Sequence, residues 1–262
     1  MQRRHDSDLS LPPFTTAPRV SLLVLMYHRA RAGLYGNSPE MLDAHFAHIA
    51  RTYPHGLPGD PLEPGRLNVC LTFDDGYFDF YAKVFPLLKK HGLRALLGLP
   101  ASFVREETGA AAADRLTVGN DESFLYPERG GFCTGPEIAE MTASGHVRIA
   151  AHGMTHVRLD KADANISLEI ETPQFLLQSR FVSEPVQSFI FPYGRFSHSS
   201  LEAALLHYRY VFRIGGALNR NWDASLLYRV DADCMTSPDA LFAPRRLLRY
   251  RARGWWNLLR SR

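Results

Sequence analysis

Three short segments carry the side chains in this chain that could act together chemically. The apolar run Asn68-Val-Cys-Leu-Thr-Phe73 ends in Asp74-Asp75-Gly76. Two adjacent carboxylates at the end of a buried strand are costly without a positive partner, and a metal ion is the obvious one. A solvated Asp-Gly turn is the plainer alternative. The run Val147-Arg-Ile-Ala-Ala151 leads into His152-Gly-Met-Thr-His156. A His-x-x-x-His pair can offer two imidazoles to one ion from a helical turn or a tight loop. It is not the H-E-x-x-H of a metalloprotease, because Gly153 stands where the glutamate base would be. Two unrelated loop histidines remain the alternative. The third segment, Phe189-Ile-Phe-Pro-Tyr-Gly194, runs an apolar stretch into a constrained turn. Such a turn can aim a backbone N–H at a developing oxyanion, or simply end a strand.

Each segment follows an expected strand. Apolar runs at Val20–Met26, Asn68–Phe73, Ala95–Pro100, Val147–Ala151, Val186–Phe191 and Tyr210–Ile214 read as strands, with Leu226–Val230 as a further one. Helical patterns fill the gaps. Pro39–Thr52 has Ser38 as N-cap and proline at its first position. Tyr77–His91 stops at Gly92, and Pro136–Ser144 opens with the capping box Thr134-x-x-Glu137 and stops at Gly145. Ala162–Phe181 and Ser199–His207 complete the set. This alternation predicts an α/β fold with a mainly parallel sheet, open or closed into a barrel. Active sites of such folds lie at the C-terminal ends of the strands, where all three segments fall. Arg105–Gly131 lacks a clear period and reads as a long loop over those ends.

The chain has 262 residues, 45% hydrophobic and 22% charged, which excludes collagen-like, coiled-coil and wholly disordered classes. No apolar run approaches the ~18 residues of a membrane span. Residues 1–19 read as a flexible arm. Its start holds Asp6, Asp8 and prolines rather than a secretion signal. Three widely spaced cysteines, Cys70, Cys133 and Cys234, fit neither a disulfide framework nor a CxxC zinc site. A cytoplasmic protein with reduced thiols is the expectation, peripheral on the inner membrane face if its tail binds there.

The net charge of +3 is unevenly spread. Seven arginines and no acid follow Pro244, so the rest of the chain is mildly acidic. The segment 244–262 interleaves them with Leu247, Leu248, Trp255, Trp256, Leu258 and Leu259. That is the pattern of a basic amphipathic helix on an anionic membrane, or of a last helix packed on the body; Gly254 is expected to interrupt it. Nucleic acid is not expected as a partner, given the acidic body. Residues 20–243 form the expected single catalytic domain.

Taken together and in this order, the three segments resemble the polysaccharide deacetylases of carbohydrate esterase family 4, the NodB-homology domain. Thr72-Phe-Asp-Asp-Gly76 matches the first motif, His152–His156 the second, and Phe191-Pro-Tyr-Gly194 the core of the third. Leu25-Met-Tyr-His-Arg29 and Phe132-Cys-Thr134, followed by Gly145, are similar to features of the exopolysaccharide-deacetylase branch. The resemblance covers roughly Val20 to Asp233. It implies a single deformed (β/α) barrel of seven or eight strands that hydrolyses an N-acetyl, or less often an O-acetyl, group on a sugar. It further implies that Asp75, His152 and His156 bind a divalent metal and that Asp74 is the general base. Zinc suits the ligand set, and cobalt, nickel, manganese or iron would also be accepted. The metal and the Tyr193 backbone N–H are expected to stabilise the oxyanion.

Two features depart from the family pattern. Many members carry an arginine two residues before the proline of the third motif; here that residue is Ile190. Arg229, in Arg229-Val-Asp231, is the candidate to supply the charge from another strand. The late Leu-x-x-His is also not apparent, since no histidine follows His207. His28 is the candidate to line the site in its place. Phe124, Tyr126 and Phe132 are candidates for a wall against a sugar ring, or anchors for the long loop. A catalytically inactive carbohydrate-binding or scaffold protein, or a deformylase or deacetylase of a small or nucleotide-linked sugar, is the alternative function.

Overall fold

The computed structural model describes residues 20–260. The arm at 1–19 and the last two residues of the basic tail lie outside the described residues. Seven parallel strands close into a barrel in sequence order. They are β1 (Ser21–Tyr27), β2 (Leu67–Phe73), β3 (Ala95–Leu99), β4 (Val147–Ala151), β5 (Ser188–Ile190), β6 (Tyr210–Ile214) and β7 (Leu227–Asp231). The closing seam pairs β1 with β7, Val24 opposite Arg229 and Met26 opposite Asp231. The α/β barrel is thus the expected fold, at the smaller of the two strand numbers.

The strands are near-continuous apolar runs because both their faces are buried, one inside the barrel and one under helices. Leu23, Leu25 and Tyr27 face the helical layer, whereas Leu22 and Val24 fill the barrel with Cys70, Leu96, Ala150, Ile190, Phe212 and Leu227. The helices are α1 (Pro39–Thr52), α2 (Phe85–His91), α3 (Ala112–Arg115), α4 (Asn120–Leu125), α5 (Gly135–Ala143), α6 (Thr172–Arg180), α7 (His198–His207) and α8 (Pro244–Arg260). Ser38 caps α1 by accepting from the Met41 N–H at 3.2 Å, and Gly92 ends α2 in the left-handed conformation.

Several sequence expectations are revised. The expected helix from Tyr77 begins at Phe78 and passes through a π-helical turn, Phe80–Val84, before α2. The expected helix from Ala162 begins in the same way, as Ser167–Glu171 ahead of α6. The segment 105–131 is not one loop, since it contains α3, α4 and a short turn Pro127–Arg129. These elements lack a periodic apolar face because polar groups hold them. The Arg115 side chain, buried, donates to the carbonyls of Gly130 and Phe132 at 2.8 and 2.9 Å and pairs with Glu137. Arg29 reaches Asn120 Oδ1 at 2.8 Å from the end of β1. Gly254 does not interrupt α8, which continues to Arg260. A Cβ at Gly254 would sit 3.2 Å from the Leu218 carbonyl, so its absence lets the helix lie close to the barrel.

Candidate active site

The two-residue period of the strands carries the inward register upward into polar residues. On β2, Cys70 in the barrel is followed by Thr72 and then Asp74. On β4, Ala150 is followed by His152. On β7, Leu227 is followed by Arg229. An apolar floor therefore ends under a polar ceiling at the C-terminal rim. Gly98 on β3 keeps space open there, since a Cβ would lie 3.1 Å from Ile190 Cδ1 and 3.5 Å from His152 Cβ.

Asp74 and Arg229 meet in this ceiling. Arg229 donates from Nη1 to Oδ1 at 2.6 Å and from Nη2 to Oδ2 at 2.8 Å, a bidentate fork with both side chains buried. Arg229 Nη1 also lies 3.2 Å from Thr72 Oγ1. Burial works to raise the Asp74 pKa, but Arg229, His152 and His28 outweigh it and hold the carboxyl well below the ordinary range. Asp74 is therefore a carboxylate at any working pH.

Asp75, His152 and His156 converge beside it, with ligand atoms all within 4.8 Å of one another. Asp75 Oδ1 is buried and makes no hydrogen bond within the protein. It faces His156 Nε2 at 3.1 Å and His152 Nε2 at 3.5 Å. The His152 Nδ1 is 2.8 Å from the Ile190 carbonyl, an acceptor, so Nδ1 carries the proton and Nε2 keeps its lone pair. Burial lowers both imidazoles to about 4, leaving them neutral. A buried, hydrogen-bond-free carboxylate oxygen facing two neutral imidazoles is a donor set that fits a divalent transition metal.

His28 follows β1 on the rim. Its Nδ1 lies 2.6 Å from Asp233 Oδ2, and its Nε2 points toward Asp74 Oδ2 at 3.8 Å. Burial opposes the charged imidazolium, but the Asp233 hydrogen bond and the nearby Asp74 and Asp75 charges raise the pKa to about 9. A neighbouring carboxylate and imidazole thus hold opposite protonation states ready: Asp74 ionised, His28 protonated.

Tyr193 lies in the Pro192–Gly194 turn with its ring 4.7 Å from that of His156. The Phe124 ring also stacks on His156, with centroids 4.7 Å apart at 15°. Phe132 is instead buried against Tyr77 and Phe103, an anchor rather than a wall, while Tyr126 projects into solvent. Among the described residues, five other than glycine adopt positive φ: Tyr35, Asp75, His156, Tyr193 and Cys234. Three of them belong to the site, and the other two adjoin it, Tyr35 with its ring 5.9 Å from His28 and Cys234 next to Asp233. Each such residue costs on the order of 1–3 kcal/mol, and that concentration marks where the fold is strained to aim side chains.

Two contributors escaped the sequence reading. Asp233 has no local signature, and its partner lies 205 residues away. Glu169 is buried on the π-helical turn and shapes the histidine loop, accepting from the N–H groups of Met154 and Thr155 at 2.8 and 3.0 Å and pairing with the Thr155 hydroxyl. An acid within an otherwise amphipathic stretch was its one sequence signal.

The family model for polysaccharide deacetylases matches residues 63–211. The Bacillus subtilis (strain 168) protein YxkH, whose name assigns it to the polysaccharide deacetylases, is 24% identical over 208 residues. That match covers 72% of this chain and 62% of YxkH, so the chain spans less than two thirds of that relative's length. Among solved structures, the polysaccharide deacetylase BC0361 from Bacillus cereus superposes with a TM-score of 0.69 at 19% identity, covering 86% of this chain and 69% of that one. The Streptococcus pyogenes deacetylase PplD, solved with acetate, gives 0.67 at 22% identity, covering 86% and 97%. IcaB from Ammonifex degensii gives 0.63 at 22% identity, covering 91% and 97%. At these identities the structural likenesses show a shared fold.

Proposed function

The chain belongs to the polysaccharide deacetylase family, and from that premise we propose that it is a metal-dependent hydrolase that removes an acetyl group from an N-acetylated sugar of a polysaccharide or lipid-linked glycan precursor. The observation that carries this reading is the pairing of an ionised Asp74, gripped by Arg229, with the adjacent Asp75–His152–His156 donor set. A pure carbohydrate-binding module has no use for an oriented, ionised carboxylate beside a metal site.

A divalent ion, zinc by preference, would be held by Asp75, His152 and His156 and would supply Lewis acidity toward the amide carbonyl and toward water. The remaining work falls to the chain's own residues. Asp74 accepts a proton from the attacking water as the new C–O bond forms. Arg229 keeps that carboxylate ionised and fixes its plane. His28, protonated and oriented by Asp233, donates its Nε2 proton to the nitrogen as the C–N bond breaks. The products are acetate and a sugar amine. Arg229 thus takes the place of the arginine missing at Ile190, and His28 that of the missing late histidine. The Tyr193 backbone N–H serves the developing oxyanion, in a turn whose positive φ is fixed between Pro192 and Gly194.

The test is acetate release from N-acetylglucosamine oligomers and from a lipid-linked N-acetylated sugar, with and without chelator. Asp74→Asn is run beside the parent protein. Release from either substrate that both treatments abolish supports the reading. Stoichiometric metal with no release on either substrate would sink it in favour of a non-catalytic sugar binder.

A further inference from the structure

Helix α8 has two unlike sides. One rests on the barrel: Tyr250 is buried, Leu247 packs on the core, and the Tyr250 carbonyl accepts from the Leu218 N–H at 3.3 Å. The helical period places Leu248, Ala252 and Trp256 on the opposite side. Leu248 is 68% exposed and Trp256 57%. Exposed arginines flank this stripe, namely Arg245, Arg246, Arg249, Arg251 and Arg253, and no acid occurs anywhere from Pro244 onward. No helix among the described residues is long and apolar enough to cross a membrane.

The far end of α8 adjoins the active-site rim. Asn257 Nδ2 reaches the Gly215 carbonyl at 3.4 Å. Gly215 follows Ile214, whose Cβ would lie 3.0 Å from a Cβ at Gly194, the residue after Tyr193.

We propose that α8 is a docking element for an anionic lipid surface, and that it holds the active-site mouth beside the headgroups. The arginines supply the charge complement to lipid phosphates. Leu248 and Trp256 supply the apolar wedge that a lipid interface accommodates and a soluble phosphate polymer does not use. A packed inner side and a cationic, apolar outer side let the helix lie in the interface plane without leaving the barrel. The position of the mouth rests on the deacetylase reading. The docking itself does not, so vesicle binding and acetate release fail or succeed separately.

The experiment is co-sedimentation of the full chain with vesicles of phosphatidylglycerol mixed into phosphatidylcholine, against vesicles of phosphatidylcholine alone. The expected result is binding to the anionic vesicles only, weakened by salt. The triple variant Arg245→Glu/Arg246→Glu/Arg249→Glu should lose about 100-fold in affinity. Leu248→Ser, which leaves the charge untouched, should lose about 10-fold. All four substituted side chains are solvent-facing, so thermal unfolding of both variants should match the parent, which separates lost docking from lost folding. Absence of binding to anionic vesicles would overturn the proposal, as would equal binding by parent and triple variant. Binding to duplex DNA as tight as to vesicles and indifferent to Leu248→Ser would overturn it in favour of a soluble polyanion. A concentration-dependent dimer that shields α8 and excludes vesicles would overturn it in favour of self-association.

Discussion

Arg229 on the last barrel strand closes both terminal guanidinium nitrogens on both oxygens of Asp74, at 2.6 and 2.8 Å, with neither side chain open to solvent. Breaking a buried pair of this kind leaves one charge uncompensated. Arg229→Met is therefore expected to lower stability by about 3–5 kcal/mol in denaturant titration. It should also raise the Asp74 pKa and shift the acid limb of kcat/KM upward. Arg229→Lys keeps the charge but not the fork, so it should fall between Met and the parent on both measures. An Arg229→Met protein as stable as the parent would refute the assignment.

His28 gives the alkaline counterpart. Its pKa is raised in the folded protein from 6.5 to about 9. Its contribution to stability is thus fully present below about pH 6.5 and is lost as pH climbs through about 9. On the proposed mechanism the same proton is the one offered to the leaving amine, so activity should fall along that limb. In Asp233→Asn the hydrogen bond to a full carboxylate disappears, and the alkaline limb should move to lower pH with KM little changed. An unmoved limb would remove His28 from the proton-donor role.

The Asp75–His152–His156 group makes a prediction that needs no substrate. Zinc at ~100 times its Kd should stabilise the protein by about 2.7 kcal/mol, seen as a raised melting temperature that chelator reverses. His156→Ala should abolish that gain and reduce bound zinc, measured by elemental analysis, to well below one equivalent. An undiminished zinc content in His156→Ala would place the ion elsewhere.

Glu169 touches none of the three ligands, yet it ties down the loop between His152 and His156 through the N–H groups of Met154 and Thr155. Glu169→Gln should weaken zinc binding by about 10–100-fold, the usual cost of losing a group that orients a metal ligand. Competition titration against a chromophoric chelator reads that loss directly. Unchanged affinity would reduce Glu169 to a packing role.

How far the residues announce this site depends on whether their partners are local. Asp74, Asp75, His152 and His156 follow apolar runs whose strand character is unambiguous, and the strand period then dictates which of them face inward. Arg229 was recognisable as a charge at a strand position, but its contact with Asp74 spans 155 residues and belongs to the closed barrel. Asp233 follows the last strand with nothing nearby to mark it. The helices α3 and α4, four and six residues long, are too short to show a period. α3 is held by its own Arg115, which reaches out to the Gly130 and Phe132 carbonyls, and α4 by Arg29 from the end of the first strand. Gly254 reads as a helix breaker in isolation and as a close-packing residue once the barrel is beside it.

The β1–β7 seam has a consequence for the order in which the protein is made. A nascent chain that has emerged through His156 already carries all three residues proposed to hold the ion. It lacks Arg229 and Asp233, which arrive with and just after the seventh strand. Until that strand docks on β1, Asp74 has no guanidinium to set its plane and His28 has no carboxylate to keep its proton. On the proposed reading, the residues that would hold the ion are therefore complete in the chain before those that would perform the hydrolysis, and the second set waits for the barrel to shut.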